Sequence, residues 1–127
     1  MTFFRRTAIA LLALTLPLAA YAASGDDRFL AARDAYRAGD RAKLERLAPE
    51  LRGHDLDAYV EYWLLTGRLP DQLDTASARE FLAKHEKTYI AEKLRVDWLK
   101  VLGKKQQWAE FDSEYPTVAA PDQELAC

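Results

Sequence analysis

The sequence predicts an all-α fold, a right-handed, solenoid-like (superhelical) array of antiparallel α-hairpins. Three observations predict it. Apolar residues recur at spacings of three and four along most of the chain, and no segment alternates with period two for long enough to form a strand. The helical segments are about three turns long, and their short connectors favour antiparallel neighbours in units of roughly 30 residues. A compact orthogonal bundle is the alternative architecture.

Residues 1–22 have the three parts of a cleavable export signal. Arg5 and Arg6 form a short positive region, an apolar run covers 8–18, and the small-residue motif A-Y-A at 20–22 follows. The pattern predicts cleavage after Ala22. The apolar run is shorter than the ~20 residues of a spanning helix, so we expect no stable membrane span.

The strongest helical pattern covers residues 88–103, T-Y-I-A-E-K-L-R-V-D-W-L-K-V-L-G. Its apolar face is formed by Ile90, Ala91, Leu94, Trp98, Val101 and Leu102. Thr88 can cap the helix, and Gly103 stands where a left-handed residue commonly ends one. Leu99 lies outside the main apolar face, so we expect α-helical neighbours on more than one side.

Three helices are predicted before it. The first covers 27–38, with Asp26 or Ser24 as its cap and Gly39 at its end. The second covers 41–48, is capped by Asp40, and ends or kinks at Pro49, which cannot donate a backbone hydrogen bond. The third, 56–66, is apolar on almost every side, which predicts a helix sandwiched between neighbours.

The remaining helices lie on either side of residues 88–103. One runs to His85 from a cap at Asp74 or Thr75, and one covers 106–115 and ends at Pro116. A last helix starts near Pro121 and has no room to continue. We therefore expect the array to be truncated at its C-terminal end. The single cysteine, Cys127, suggests a disulfide partner elsewhere in an exported protein, and a buried free thiol is the alternative.

The charge balance argues against a nucleic-acid partner. The chain has 18 Lys and Arg, two of them in the signal segment, against 20 Asp and Glu, so the mature part is mildly acidic. No basic stripe is present of the kind that nucleic-acid binding needs.

The sequence gives little support for a metal site or for nucleophilic catalysis. His54 and His85 are far apart in sequence and have no second ligand at zinc-type spacing, so we expect both at solvated helix ends. Ser77 and Ser113 have no histidine in local range to activate them. We therefore assign no catalytic residue, no metal site and no cofactor.

Cleavage or binding of a sugar polymer is harder to exclude, because acidic and aromatic residues are plentiful. Glu61 is the one carboxyl among aromatic residues, as a glycosidase acid would be, and an ion pair or a solvent-facing position is the favoured alternative. Five aromatic residues could stack on sugar rings, although their spacing favours core packing between helices: Tyr59, Tyr62, Trp63, Trp98 and Trp108. Four basic residues could contact an anionic polymer or form a solvated face: Lys93, Arg95, Lys104 and Lys105.

Several stretches, in this order, resemble a known family. They are Y-V-E-Y-W-L-L at 59–65, F-L-A-K-H-E-K-T-Y-I-A-E-K-L-R-V-D-W-L-K-V-L-G at 81–103, W-A-E-F-D-S-E-Y-P at 108–116 and D-Q-E-L-A-C at 122–127. The sequence resembles the N-terminal superhelical, U-shaped region of periplasmic soluble lytic murein transglycosylases of Gram-negative bacteria. The likeness covers residues 23–127, and its most specific part is Y-I-A-E-K-L-R-x-D-W-L-K.

The resemblance implies a periplasmic scaffold whose partner is the glycan strand of peptidoglycan. In that family a lysozyme-like C-terminal domain cleaves the bond between N-acetylmuramic acid and N-acetylglucosamine and leaves a 1,6-anhydromuramyl product. The Glu-Ser motif of that domain has no counterpart in this sequence, so no residue, Glu61 included, inherits the catalytic role. Two hypotheses follow: the scaffold portion of such an enzyme, whose catalytic domain is absent here, or a free-standing periplasmic helical-repeat binding module without activity.

Overall fold

A computed structural model describes residues 24–69, 71 and 73–127. Over these residues the fold is all-helical, as predicted, with seven α-helices and no strand. The helices are α1 (Gly25–Arg37), α2 (Arg41–Leu47), α3 (Asp57–Thr66), α4 (Thr75–Lys84), α5 (Tyr89–Lys104), α6 (Trp108–Glu114) and α7 (Gln123–Ala126). The export signal predicted for 1–22 lies outside the described residues. Among the described helices, none combines the length and the apolar character needed to cross a bilayer.

Local capping sets most helix starts. Ser24, Asp40, Asp74, Thr88 and Asp122 each accept a hydrogen bond from a backbone N–H three residues ahead. Four of the five were expected as caps or candidate caps. Helix α1 begins before its predicted first residue because its cap is Ser24.

Glycine and proline end the early helices as predicted. Gly39 has φ +70° and Gly53 has φ +81°, conformations that cost little only for glycine. After α2 the chain tightens into a 3-10 turn, Ala48–Leu51, with Pro49 in its first positions. Leu51 at its end is only 1% exposed and anchors the turn to the core.

The end of α5 differs from the prediction. Gly103 does not take a left-handed conformation, and the helix continues to Lys104. The left-handed position falls instead on Gln106, with φ +57°. The Phe111 ring of α6 packs over Gly103, about 3.7 Å from where a Cβ would lie. The glycine therefore lies under an aromatic ring, inside the helix rather than beyond its end.

Helix α5 is the centre of the core. Six of its residues are buried: Ile90, Ala91, Leu94, Trp98, Leu99 and Leu102. Val101, expected on the same face, is half-buried. Leu94 and Leu99 are both 0% exposed although they lie on different sides of the helix, so the prediction of neighbours on more than one side is confirmed. Each fully buried leucine contributes about 1.5–3 kcal/mol of hydrophobic stabilisation.

The helices pack in a simple order. Helix α3 contacts α1 and α5, and α5 in turn contacts α7. Helix α2 packs on α1 and α3, α4 packs on α3 and α5, and α6 packs on α5. The nearly all-apolar α3 is thus enclosed by four helices, as its composition predicted.

The C-terminal segment is short and held by polar contacts. After α6 a second 3-10 turn, Tyr115–Thr117, includes Pro116 near its start. Pro121 precedes the cap of α7 and is not its first helical residue. The Glu92 carboxylate accepts a hydrogen bond from the Ala119 N–H at 2.7 Å and ties this segment to α5.

Candidate functional site

Two adjoining hollows lie on either side of α3, and together we call them the α3 trough. They share Glu61 and Leu64, which lie on one face of α3, and Arg68, which follows in the turn after the helix. The hollow of about 390 Å³ is closed by α2 and the turn that contains Leu51. The hollow of about 240 Å³ is closed by α4.

Glu61 forms an ion pair, the alternative that the sequence favoured. Its Oε1 lies 2.5 Å from Lys84 Nζ, and its Oε2 lies 3.0 Å from His85 Nε2. Partial burial raises the pKa of the Glu61 carboxyl, but the hydrogen bonds and charges of Lys84 and His85 outweigh it and lower the pKa below its usual value. A carboxylate held ionised in this way is unsuited to be the proton donor of a glycosidase, which needs a raised pKa.

The other carboxylates of the larger hollow also have partners. Glu45 accepts a hydrogen bond from Arg41 Nε at 2.9 Å. Asp57 accepts one from the Gly53 N–H at 3.2 Å, which closes the turn before α3. Their negative charge is therefore partly committed to contacts within the protein.

Two arginines of the trough have no such partner. Within the described residues, Arg52 and Arg68 form no ion pair and no side-chain hydrogen bond, although the charge of Arg68 contributes to the lowered pKa of the Asp74 carboxyl. In the smaller hollow Glu80 is likewise without one. Neither arginine was expected from the sequence to belong to a functional site. The spacing of Arg68 from Glu61 was a visible signal, whereas Arg52 joins them only through the packing of the 3-10 turn on α3.

Both histidines lie at helix ends, as predicted, but neither is solvated. His54 and His85 are only 17% and 13% exposed at the side chain. Each ring packs on a phenylalanine: His54 stacks on Phe29 at 5.4 Å between centroids, and His85 contacts Phe81 at 4.6 Å. The prediction of solvated positions was wrong. For His54 the Phe29 partner comes from α1, which local sequence does not show, whereas for His85 the partner Phe81 lies four residues earlier in α4 and was a visible signal.

The surroundings of His54 fix its neutral tautomer. Its Nδ1 accepts a hydrogen bond from the Leu56 N–H at 3.1 Å, so the ring proton of the neutral form belongs on Nε2. Nε2 then donates to Asp26 Oδ1 at 3.0 Å and ties α1 to the start of α3. Within the described residues, no group of three candidate ligands could hold a metal ion.

The two serines take no part in a catalytic arrangement. Ser77 donates its hydroxyl proton to Asp74 at 2.8 Å and belongs to the cap of α4. Ser113 is exposed on α6. No histidine is hydrogen-bonded to either serine within the described part of the chain.

The aromatic residues divide into core and surface. Tyr62, Trp63 and Trp98 are buried, and Tyr59 is half-buried against Trp63, so core packing is confirmed for these four. Trp108 is the exception, with 54% of its surface exposed.

The buried Tyr62 also makes a polar contact. Its hydroxyl donates to Asp97 at 2.5 Å and connects α3 to α5. Burial, together with the Asp97 hydrogen bond and charge, raises the pKa of Tyr62 well above its usual value. The phenol therefore stays protonated and acts as a structural donor.

The four basic residues that could have met an anionic polymer are ion-paired within the fold. Arg95 pairs with Glu92 at 2.8 Å and Lys93 with Asp97 at 3.6 Å. Lys104 and Lys105 lie 3.5 and 3.6 Å from acidic oxygens of α7 and of the α3–α4 connector. They therefore do not form an uncompensated basic surface.

A third hollow, which we call the C-terminal groove, lies between α5, α6 and α7. It has a volume of about 510 Å³, and its apolar lining comes from Leu99, Trp108, Phe111 and Leu125. Lys100 forms ion pairs with Asp122 and Glu124 and so holds α7 on α5. Cys127 is a free, exposed thiol that also lines the groove.

The α3 trough and the C-terminal groove are thus two surfaces of the described residues that could carry function. Both combine apolar and charged residues in their linings. Comparison with protein-family models, curated proteins and solved structures finds no match for this chain.

Proposed function

We propose that this chain is the N-terminal scaffold portion of a soluble lytic murein transglycosylase, exported to the periplasm after cleavage behind Ala22. It would help to shape the groove around peptidoglycan glycan strands, while a lysozyme-like domain absent from this sequence cleaves the glycosidic bond. The resemblance of the stretches 59–65, 81–103, 108–116 and 122–127 supports this assignment.

The packing of consecutive odd-numbered helices is the observation that carries the proposed architecture. Helix α1 contacts α3, α3 contacts α5, and α5 contacts α7, while α2 and α4 each pack against the odd-numbered helices before and after them. In an α-hairpin solenoid each repeat contacts mainly its neighbours, so such a row supports a superhelical array over an orthogonal bundle. In this array α7 takes the place of the first helix of a fourth hairpin.

The C-terminal groove supports the scaffold hypothesis over a free-standing module. A solenoid end in contact with water needs a polar face, whereas this groove presents Trp108 and the apolar side chains beneath it. It continues the row in which α1, α3 and α5 already pack. A further amphipathic hairpin of the same array would cover it.

A binding assay tests the proposed function. The full chain with its own signal would be produced in a Gram-negative host, and the periplasmic product would be sedimented with purified peptidoglycan sacculi. We expect a mature chain that begins at Ala23, sediments with sacculi and releases no anhydromuropeptides. Cytoplasmic retention, absence of binding, or release of anhydromuropeptides by this chain alone would each overturn the proposal.

A dye experiment tests the exposed solenoid end. We expect an anilinonaphthalene dye to bind the C-terminal groove and Trp108→Gln to remove most of the bound-dye fluorescence. Leu56→Gln is the matched control, because Leu56 is also exposed, at 41%, and does not line the groove. Equal loss with both variants, or no dye binding by the folded chain, would contradict an uncovered end at this place.

A further inference from the structure

We propose that the α3 trough binds an acidic peptide segment, with Arg52 and Arg68 receiving its carboxylates. This inference goes beyond the scaffold function and does not depend on it. It starts from the two arginines that line one hollow and that, within the described residues, have neither an ion pair nor a side-chain hydrogen bond.

The charges within the trough select the ligand. The carboxylates of Glu45, Asp57 and Glu61 are already bound by Arg41, the Gly53 N–H, and Lys84 with His85. The guanidinium groups of Arg52 and Arg68 are therefore the side-chain donors of the larger hollow that remain available to a ligand. A guanidinium presents a planar fork of donors that matches a carboxylate in bidentate geometry.

The floor of the trough is apolar. Leu51 and Val60 are 1% and 3% exposed, and Leu64 is half-buried along the ridge between the two hollows. The larger hollow, about 390 Å³, falls within the ~300–1,000 Å³ typical of ligand pockets. A peptide that alternates acidic and aliphatic side chains could place carboxylates on the arginines and aliphatic groups against this floor.

The same trough disfavours a nucleic acid. Glu45, Asp57, Glu61 and Glu80 line it, so a backbone with a negative charge at every unit would meet several carboxylates at once. A peptide can separate its carboxylates so that they meet only the two arginines.

Arg52 and Arg68 lie in the turns that flank α3, and hydrogen bonds and ion pairs within the fold hold these turns, among them the bond from the Arg68 N–H to the Leu65 carbonyl at 3.0 Å. The ion pair of Glu61 with Lys84 and His85 fixes α3 to the end of α4, and the Asp57 contact with the Gly53 N–H closes the turn beside Arg52. The arginine backbones are therefore held before a ligand arrives, which lowers the entropic cost of binding.

Fluorescence anisotropy on the full chain tests the proposal. The probe is a fluorescein-labelled leucine-rich peptide with two glutamates separated by leucine, and the control peptide has glutamine in place of both glutamates. We expect saturable binding of the first, little binding of the second, and a loss of about tenfold in affinity for each of Arg52→Gln and Arg68→Gln. Arg46→Gln is the matched control, because Arg46 is exposed on the neighbouring α2, lies outside the trough, and has no ion pair among the described residues.

The outcomes are distinct. Thermal melts of the three variants should coincide with that of the parent chain, so that a lost affinity reports the site and not the fold. Binding that Arg46→Gln weakens as much as Arg68→Gln, or no binding at all, would overturn the proposal. If a single-stranded oligonucleotide bound more tightly than the peptide, with the same dependence on Arg52 and Arg68, the trough would be a polyanion site. That result would also refute the proposal.

Discussion

Replacing Gly103 by alanine should stabilise this protein, although the sequence alone predicts the opposite. If Gly103 were the left-handed residue after α5, a Cβ would strain the backbone by about 1–2 kcal/mol. In the structure it lies inside the helix, where alanine is favoured over glycine by about 1 kcal/mol. The new Cβ would meet the Phe111 ring at 3.7 Å, an ordinary van der Waals distance. Since Gly103 is in the last turn, we expect a gain of about 0.5–1 kcal/mol.

The assay is unfolding by urea, followed by circular dichroism at 222 nm, with a thermal melt beside it. For a domain of this size the gain corresponds to a rise in Tm of roughly 2–8 °C. Gly39→Ala is the matched control: its φ is +70° and nothing lies within 4 Å, so we expect a loss of about 1 kcal/mol from backbone strain alone. A destabilised Gly103→Ala variant, with an unchanged dependence on urea, would refute the helical placement of Gly103 or the room beneath Phe111.

Three further predictions concern the core and the links between helices. Leu99→Ala should lower the free energy of unfolding by about 3 kcal/mol in urea titrations. The control Leu30→Ala, at a side chain that is 43% exposed, should lower it by less than about 1 kcal/mol. Similar losses for the two variants would contradict a two-sided packing of α5. Glu61→Gln should cost up to about 1 kcal/mol at pH 7. The folded pKa of Glu61 lies below its ordinary value of 4.5, so its contribution to stability is present above that value and is lost as pH falls through the folded pKa. In urea unfolding at a series of pH values, the free energies of unfolding of the parent chain and of Glu61→Gln should therefore converge in acid. A difference that stays constant with pH would argue against the ion pair. Tyr62→Phe should cost about 1–2 kcal/mol in the same urea assay, since Asp97 loses a hydrogen bond in a partly buried position, and an unchanged stability would show that the bond has no net effect.

The sequence was most informative where the physics is local. The cap at Thr88 and the stop at Gly39 depend on atoms a few residues apart, so both were visible before any packing was known. The apolar face of α5 followed from helical periodicity in the same way. The sequence predicted that Glu61 could form an ion pair but did not predict its partners, because Lys84 and His85 lie at the end of another helix.

The candidate site was largely out of reach of the sequence. Arg52 and Arg68 lie 16 positions apart, and they share a hollow only because the 3-10 turn folds back onto α3. His54 was likewise expected to be solvated, but the packing of α1 places Asp26 Oδ1 3.0 Å from its Nε2. Such contacts depend on the relative position of whole helices, which capping and periodicity do not specify.

The sequence by itself determined that the chain is helical, where most of its helices start, and that α5 is buried on more than one side. The tertiary structure decided that Gly103 stays in α5 under Phe111, that His54 is enclosed, and that Arg52 and Arg68, which have no ion pair within the described residues, line one hollow beside α3. The difference has one physical reason. Helix formation and capping satisfy backbone groups within about four residues, whereas burial and pairing depend on which distant surfaces exclude water from one another.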